Sequence, residues 1–373
     1  MVALSRAGRV LVLVGVLGVI VAGCGSSGSS TSAGSGSTNA SSTAAASASK
    51  GVDVGTGKPI PLSLKDMKIA FIASGMQTPL GVAQKKGVEE VAKKYGVPVT
   101  TFDGRLDVAR QFALYQTIVG GGKYNVIVTL PMGGQQDCNV LTKQAPAKGI
   151  VVSVMTIPIC GKEFESSLGN GLWAPGTLNT VGYNSNLNGY TAYAKTCAQA
   201  TGGGKLVLLN GVAGTPNNRA MTKAYQASGM DIVANYATDY TPETANKDVS
   251  AALRAHPDVN VIATTFPALT LGAVQAIKSA GKKPGTDIKL CNYTGGGKQM
   301  LDLIKAGQLN ADAYTNDEWV AKAATQQVFD AVQGKPVLRY SEPGPDGVAT
   351  KSTGQWPPAV TKDNVNQFQP TGE

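Results

Sequence analysis

The chain has 373 residues, of which 42% are hydrophobic and 15% charged, and a formal net charge of +9. That much apolar material excludes a wholly disordered chain, and the length is too great for one small core, so two lobes are expected. The positive charge would suit a nucleic acid if it were clustered. The Lys and Arg residues are instead scattered over helix faces, and Arg6 and Arg9 lie in a leader, which argues against DNA or RNA binding.

Residues 1–23 carry Arg6 and Arg9, an apolar run from Val10 to Ala22, and small residues up to Gly23. A basic start, a short apolar centre and a small-residue cleavage point predict an export signal, since a spanning helix needs roughly 20 apolar residues. The junction Val21-Ala22-Gly23-Cys24 resembles a bacterial lipobox, which implies that Cys24 becomes the acylated first residue of a lipoprotein. Residues 24–62 then read as a Ser-, Gly- and Ala-rich tether. From Gly25 to Lys58 no large apolar residue comes before Val52, so the stretch cannot bury enough surface to offset the entropy of ordering it.

From Lys68 to Asp103 the pattern predicts a β-α-β unit. Ile69 to Ala73 is an apolar run too short for a helix; Leu80, Ala83, Gly87, Val88, Val91, Ala92 and Tyr95 recur at helical spacing after Pro79; Gly96 stops the helix and Val97 to Phe102 is a second strand. Such strands are parallel with a right-handed crossover, and ligands sit beyond their carboxyl ends. Attention therefore falls on the residues after each strand, beginning with Ser74 to Thr78.

The rhythm continues with a helix over 106–119, a strand over 126–130, a helix over 135–148 and a strand over 150–156. It pauses over 157–182, where Gly and Pro are dense enough to suggest a crossing between lobes. It resumes with helices over 185–200, 216–228, 242–255, 267–280 and 298–306, and strands over 205–210, 231–236, 259–264, 287–293 and 308–314. Two doubly wound α/β lobes with parallel sheets are expected. Residues 63–160 with about 317–345 form the first lobe, and about 180–316 with about 346–373 the second.

Catalytic and metal chemistry find little support. The one histidine, His256, lies at a helix-strand turn, where neither a Ser-His-Asp set nor a His-based metal site assembles readily. The Gly triplets 120–122 and 202–204 precede strands rather than follow them. The triplet 295–297, before Lys298, lacks the spacing of a phosphate loop. No cofactor is expected. Cys138 opens a helix after the third strand and Cys160 lies just past the fourth, neighbouring places at one end of a parallel sheet, so a disulfide is predicted between them. Cys197, on a helix face, and Cys291, in a strand, read as two buried thiols.

Lys68-Ile-Ala-Phe-Ile, Glu89-Glu-Val-Ala-Lys-Lys-Tyr-Gly, Asp103, Gln111, Tyr124-Asn-Val-Ile-Val, Lys148-Gly-Ile-Val-Val, Gly211-Val-Ala-Gly-Thr, Ala255-His-Pro-Asp-Val, Leu271-Gly-Ala and Thr361-Lys-Asp-Asn-Val together resemble the ribose-binding kind of type I periplasmic binding protein. The resemblance spans nearly all of 68–365. It implies lobes joined by three crossing segments, a ligand in the cleft, hinge closure, and delivery to an ATP-driven importer whose permease and ATPase are separate chains. It also implies a monomer held to the membrane through Cys24. A sensory receptor of the same fold, and an enzyme using Asp103 or Asp107, stay open as alternatives.

In sugar-binding relatives the cleft pairs stacking aromatics with Asp, Asn and Arg, and this chain departs from that pattern. It has Met76-Gln77-Thr78 after the first strand, Met132 after the third, and Thr156 with Ile157 after the fourth. Met221 stands where an Arg is usual, with Arg219 nearby, and Tyr293 stands beside Asn292. Tyr240, Phe266 and Tyr293 are expected to form the walls, with Gln77, Asn292, Arg219, Asn316 and Asp317 among the polar groups. Such walls favour an uncharged organic solute, a sugar derivative with an apolar face or a less polar metabolite.

Overall fold

The computed structural model describes residues 51–164, 168–354, 357 and 359–371. The export signal, Cys24 and the tether up to residue 50 lie outside the described residues. The rest of the predicted tether is corrected by the structure. Val52, Val54, Ile60 and Leu62 are buried in the core of the first lobe, and Val52 pairs with Ile60 in an antiparallel bridge. These scattered aliphatics act as a strap. Its Asp53 meets Arg339 at 2.6 Å, and the Arg339 guanidinium lies 4.6 Å from the Trp173 ring centre.

The lobes repeat one topology. The first contains β1 (Ile69–Ala73), β2 (Val99–Asp103), β3 (Val126–Thr129), β4 (Val151–Met155) and β5 (Asn179–Val181) in the order β2-β1-β3-β4-β5. The second contains β6 (Lys205–Asn210), β7 (Asp231–Ala237), β8 (Val261–Thr264), β9 (Lys289–Gly295) and β10 (Ala311–Tyr314) in the order β7-β6-β8-β9-β10. Neighbours within these sets pair in parallel. Each lobe therefore has a switch point, between β1 and β3 and between β6 and β8, where loops diverge to open a crevice. One more parallel strand and two antiparallel ones finish the edges. β11 (Tyr340–Pro343) pairs with β5 and turns back into β12 (Ala349–Lys351), and β13 (Ala359–Val360) caps β10. The lobe boundaries shift accordingly: β5 and β12 belong to the first sheet, so residues 180–181 and 346–351 leave the second lobe to which they were assigned.

The helices alternate across the sheets. In the first lobe α1 (Pro79–Lys94) covers one face, while α2 (Val108–Gly121), α3 (Gln135–Asn139), a π turn (Val140–Gln144) and α4 (Ala145–Ala147) cover the other. The π turn interrupts what reads in sequence as one helix. Pro146 has no N–H to give the ladder, so the turn before it loosens. The second lobe carries α5 (Leu187–Thr201) and α6 (Pro216–Gln226) on one face, and α7 (Pro242–Ala255), α8 (Pro267–Ser279) and α9 (Lys298–Lys305) on the other. The chain then returns to the first lobe as α10 (Asp317–Val332) and packs along α1. Contact is close because Gly87 has no side chain: a Cβ there would lie 2.5 Å from the Glu318 carbonyl oxygen.

A Thr-Pro pair opens α1, α6 and α7. Proline at the first helical position has a preset φ and no N–H to leave orphaned, and the threonine hydroxyl accepts from the amide three residues on. Those bonds run from Gly81 to Thr78, Asn218 to Thr215 and Thr244 to Thr241, at 3.1, 3.3 and 3.3 Å. The caps fix where each of these loops ends and its helix begins.

Each disulfide lies within one lobe. Cys138–Cys160 joins α3 to the segment after β4 in the first. Cys197–Cys291 joins α5 to β9 in the second, a correction to the two thiols read from sequence. The helix face bearing Cys197 lies against the strand face bearing Cys291, with Cα atoms 5.8 Å apart, inside the range a disulfide spans.

Candidate functional site: a cavity between the lobes

Strands β1 to β10 each deliver a side chain, at or beyond the carboxyl end, to one cavity of ≈ 100 Å³. From the first lobe come Ser74 and Thr78 after β1, Leu106 after β2, Leu130 and Met132 after β3, and Thr156 and Ile157 after β4. From the second come Thr215 and Asn217 after β6, Tyr240 after β7, Thr265 and Phe266 after β8, and Tyr293 and Thr294 in β9. The crossings supply Tyr183, Ser185, Thr315 and Asp317, and Leu80 and Tyr190 project from α1 and α5. A ligand here touches both lobes.

The two walls differ. The first lobe offers aliphatic surface from Leu80, Leu106, Leu130, Met132 and Ile157. The second offers rings: Tyr240 meets Phe266 edge-on with centroids 5.3 Å apart, and Tyr190 meets Tyr293 at 5.1 Å. Tyr240 holds its ring in place with a left-handed backbone, φ 64°, uncommon for an aromatic residue. Its hydroxyl occupies the space a side chain at Gly211 would need, so glycine there lets the ring lie down on the β6 loop. Burial pushes the Tyr240 phenol up to about 12, and it stays a neutral O–H at physiological pH.

Asp317 is the acid of this lining. Its Oδ1 accepts from Gln84 Nε2 at 3.0 Å and from the Thr156 hydroxyl at 3.2 Å, which fixes the carboxylate at the start of α10. No Lys or Arg among the described residues lines the cavity.

The lobes are drawn together. Leu80 packs against the cores of both. At one rim Gly134 faces Pro216 so closely that a Cβ would lie 2.5 Å from the proline Cγ. Beside it the Cys138–Cys160 bridge holds the segment carrying Phe164, whose ring lies 5.5 Å from Arg219 and 5.4 Å from Lys223 of α6. The chain crosses between lobes at 182–186, at 315–316 and between 351 and 359. Glu342 of β11 ties the first and third crossings: its carboxylate accepts from Asn184 Nδ2 at 2.8 Å, Ser352 Oγ at 2.7 Å and the Thr353 amide at 2.9 Å. Tyr183 links the first to the second, accepting from the Asn316 amide at 2.8 Å and donating to the Asn316 carbonyl at 3.3 Å.

Of the residues expected from sequence, Thr78, Met132, Thr156, Tyr240, Phe266, Tyr293 and Asp317 line the cavity. Five do not. Met76 packs on the first-lobe core, its amide donating to Asp103 at 2.9 Å, and Gln77 is exposed. Arg219 is exposed and donates to the Gly214 carbonyl at 2.7 Å. Asn316 caps α10, accepting from the Trp319 amide at 3.1 Å. Asn292 is fully buried: strand alternation sends it away from Tyr293, to accept from Thr264 Oγ1 at 3.1 Å and donate to Asp312 at 2.8 Å. Sequence reasoning missed Tyr183, Ser185 and Tyr190, because the turn-rich stretch hid β5. It also missed Thr215 and Asn217, although the Thr215-Pro216 cap marked that loop's end.

Two α/β lobes whose facing strand ends enclose one cavity make the architecture of a type I periplasmic binding protein. The family model described as "Periplasmic binding protein domain" matches residues 69–336, and the chain belongs to that family. It is 25% identical over 279 residues to the "Ribose import binding protein RbsB" of Bacillus subtilis (strain 168), covering 74% of this chain and 85% of that protein. It is 22% identical over 231 residues to the protein of the same name from Escherichia coli (strain K12), covering 61% and 72%. Among solved structures, a Caulobacter myo-inositol binding protein bound to myo-inositol superposes with a TM-score of 0.65 at 19% identity, covering 82% of this chain and 96% of that one. A galactofuranose binding protein gives 0.63 at 18%, covering 81% and 96%. The family is extracytoplasmic, and no helix among the described residues is long and apolar enough to cross a membrane.

Proposed function

We propose that this protein is an exported, lipid-anchored receptor that encloses one small uncharged sugar or sugar-like solute and passes it to an ABC importer. The observation that carries this reading is the convergence of β1 to β10 on a single cavity with no cationic side chain among its described lining residues. The names of the relatives point the same way, to ribose import, myo-inositol and galactofuranose. Binding needs no reacting group. A solute that touches both lobes is held better when they are together than apart, so it shifts the population toward the closed state, the form a permease would distinguish from the empty one. The receptor acts as a monomer, and its permease and ATPase are separate chains.

Thermal unfolding of the purified protein with D-ribose, D-allose, D-fucose and myo-inositol, beside amino acids and nucleosides, tests the ligand class. At 100 times its Kd, a cognate solute raises stability by about 2.7 kcal/mol, a shift of roughly 2 °C or more for a chain of this size. Stabilisation by amino acids or nucleosides and by no polyol would sink the reading.

The anchor is tested separately. Wild-type protein is expected to partition into detergent and Cys24→Ser into the aqueous phase; equal partitioning of the two would remove the lipid from the proposal.

A further inference from the structure

The cavity's hydroxyls are largely turned away from whatever it holds. Thr78 donates to the Gly75 carbonyl at 2.8 Å, Thr156 to Asp317 at 3.2 Å and Thr215 to the Val212 carbonyl at 2.9 Å. Thr265 donates to the Leu209 carbonyl at 3.2 Å, Thr294 to the Thr265 carbonyl at 3.1 Å and Thr315 to the Gly295 carbonyl at 3.1 Å. Tyr183 donates to Asn316 at 3.3 Å. A hydroxyl has one proton, so a threonine that has given it to the protein can offer a ligand only its lone pairs. Ser74 and Tyr240 keep an O–H to offer. The Ser185, Tyr190 and Tyr293 hydroxyls bond among themselves, and one acceptor of the lining stands apart from all of these. Asn217 Oδ1, at the start of α6, is buried and has no hydrogen-bond partner among the described residues. An acceptor atom shielded from water and left bare is costly, and a ligand donor removes that cost.

We infer that the cavity selects solutes by the donors they carry, and that Asn217 is a specificity-determining residue whose Oδ1 accepts from one ligand hydroxyl or N–H. This rests on the reading of the protein as a solute receptor and narrows its ligand class. The solute is a small ring rich in O–H or N–H groups along one edge, which faces the second lobe. Its other face is apolar enough to lie on Leu80, Leu106, Leu130, Met132 and Ile157. Carboxylates and phosphate esters are rejected, because they bring acceptors to acceptors and find no Lys or Arg among the described lining residues.

The test is calorimetric titration of the full chain and of two variants, Asn217→Leu and Asn217→Asp. The probes are D-ribose, D-allose, D-fucose and myo-inositol, their mono-O-methyl ethers, which lose one donor and keep the oxygen, and D-galacturonate. A neutral polyol is expected to bind and the uronate to fail. At one ring position O-methylation should weaken binding by about 10-fold or more, the scale of a buried polar group left unpaired. Asn217→Leu should cost about the same factor and erase the discrimination at that position, since the group that reads it is gone. Asn217→Asp, which keeps acceptors and loses the amide donors, should retain the discrimination. A uronate that binds as tightly as its neutral parents overturns the inference and leaves the sugar-like reading standing. So does an Asn217→Leu variant that still discriminates at every position, or an Asn217→Asp variant as impaired as the leucine one. Binding confined to amino acids or nucleosides overturns the sugar-like reading instead, and the two Asn217 variants titrated with that solute then decide whether Oδ1 accepts from it.

Discussion

The protein is expected to lose stability as the pH rises from about 4 to about 7. Asp312, fully buried on β10, has its carboxyl pushed up by burial to about 7, against which the bonds from Asn292 at 2.8 Å and the Gly296 amide at 2.9 Å act only in part. Asp137, beneath the β3 loop, is pushed up by burial to about 6. In the unfolded chain both titrate near 3.8. Between those values the folded state holds protons that the unfolded state has released, so stability is fully present below pH 4 and is lost as the pH climbs through the folded values. At 1.36 kcal/mol per unit, Asp312 alone accounts for on the order of 4 kcal/mol. Urea midpoints at pH 5.0 and 7.5 measure it: the wild type should be weaker at 7.5, and Asp312→Asn, which cannot ionise, should have the flatter profile. A wild type that is as stable at 7.5 as at 5.0, or a variant that keeps the slope, would show that the buried carboxylate is better compensated than burial suggests.

Breaking the Cys197–Cys291 bridge should cost about 4–5 kcal/mol. The two cysteines are 94 residues apart, and a loop of that length loses much of its freedom in the unfolded chain when its ends are joined. Cys138–Cys160 closes a loop with a separation of only 22 and should contribute about 3 kcal/mol by the same reasoning. The paired change Cys197→Ala with Cys291→Ala is therefore expected to lower the denaturant midpoint more than Cys138→Ala with Cys160→Ala. Thiol titration of the exported protein, unfolded without reductant, should find neither pair free. Two reactive thiols mapping to Cys197 and Cys291 would restore the reading of two buried thiols.

Why one bridge was legible in sequence and the other was not has a geometric reason. Cys138 and Cys160 follow adjacent parallel strands, and parallel strands carry their loops to the same end of the sheet. Cys197 and Cys291 belong to a helix and a strand whose contact depends on how α5 is rolled against the sheet, which no local pattern reports. The lobes themselves were legible for the opposite reason: short apolar runs alternate with stretches of helical period, three of them opened by Thr-Pro pairs. The strap was not, because Val52, Val54, Ile60 and Leu62 are too widely spaced among polar residues to form a period. At the site, loop positions with a bulky side chain, such as Tyr240 and Phe266, were found from their place after a strand. Asn292 was misplaced because one step along β9 exchanges the cavity face for the core, and Arg219 because a charge near a cleft turned outward to Gly214 and Phe164.

The strap also decides which half of the molecule can be held still. Residues 51–62 are stitched into the first lobe through Val54, Ile60 and the Asp53–Arg339 pair, so a pull applied at residue 51 enters that lobe first. The second lobe, where Thr371 is bridged to Gly297, takes such a load through the crossings gathered at Glu342 and Tyr183 and through the lobe-lobe contacts at Leu80, Pro216 and Phe164. Under the proposed anchor at Cys24 the molecule would have a seat and a door: the first lobe would keep its bearing relative to the membrane, and the second would be the one that swings.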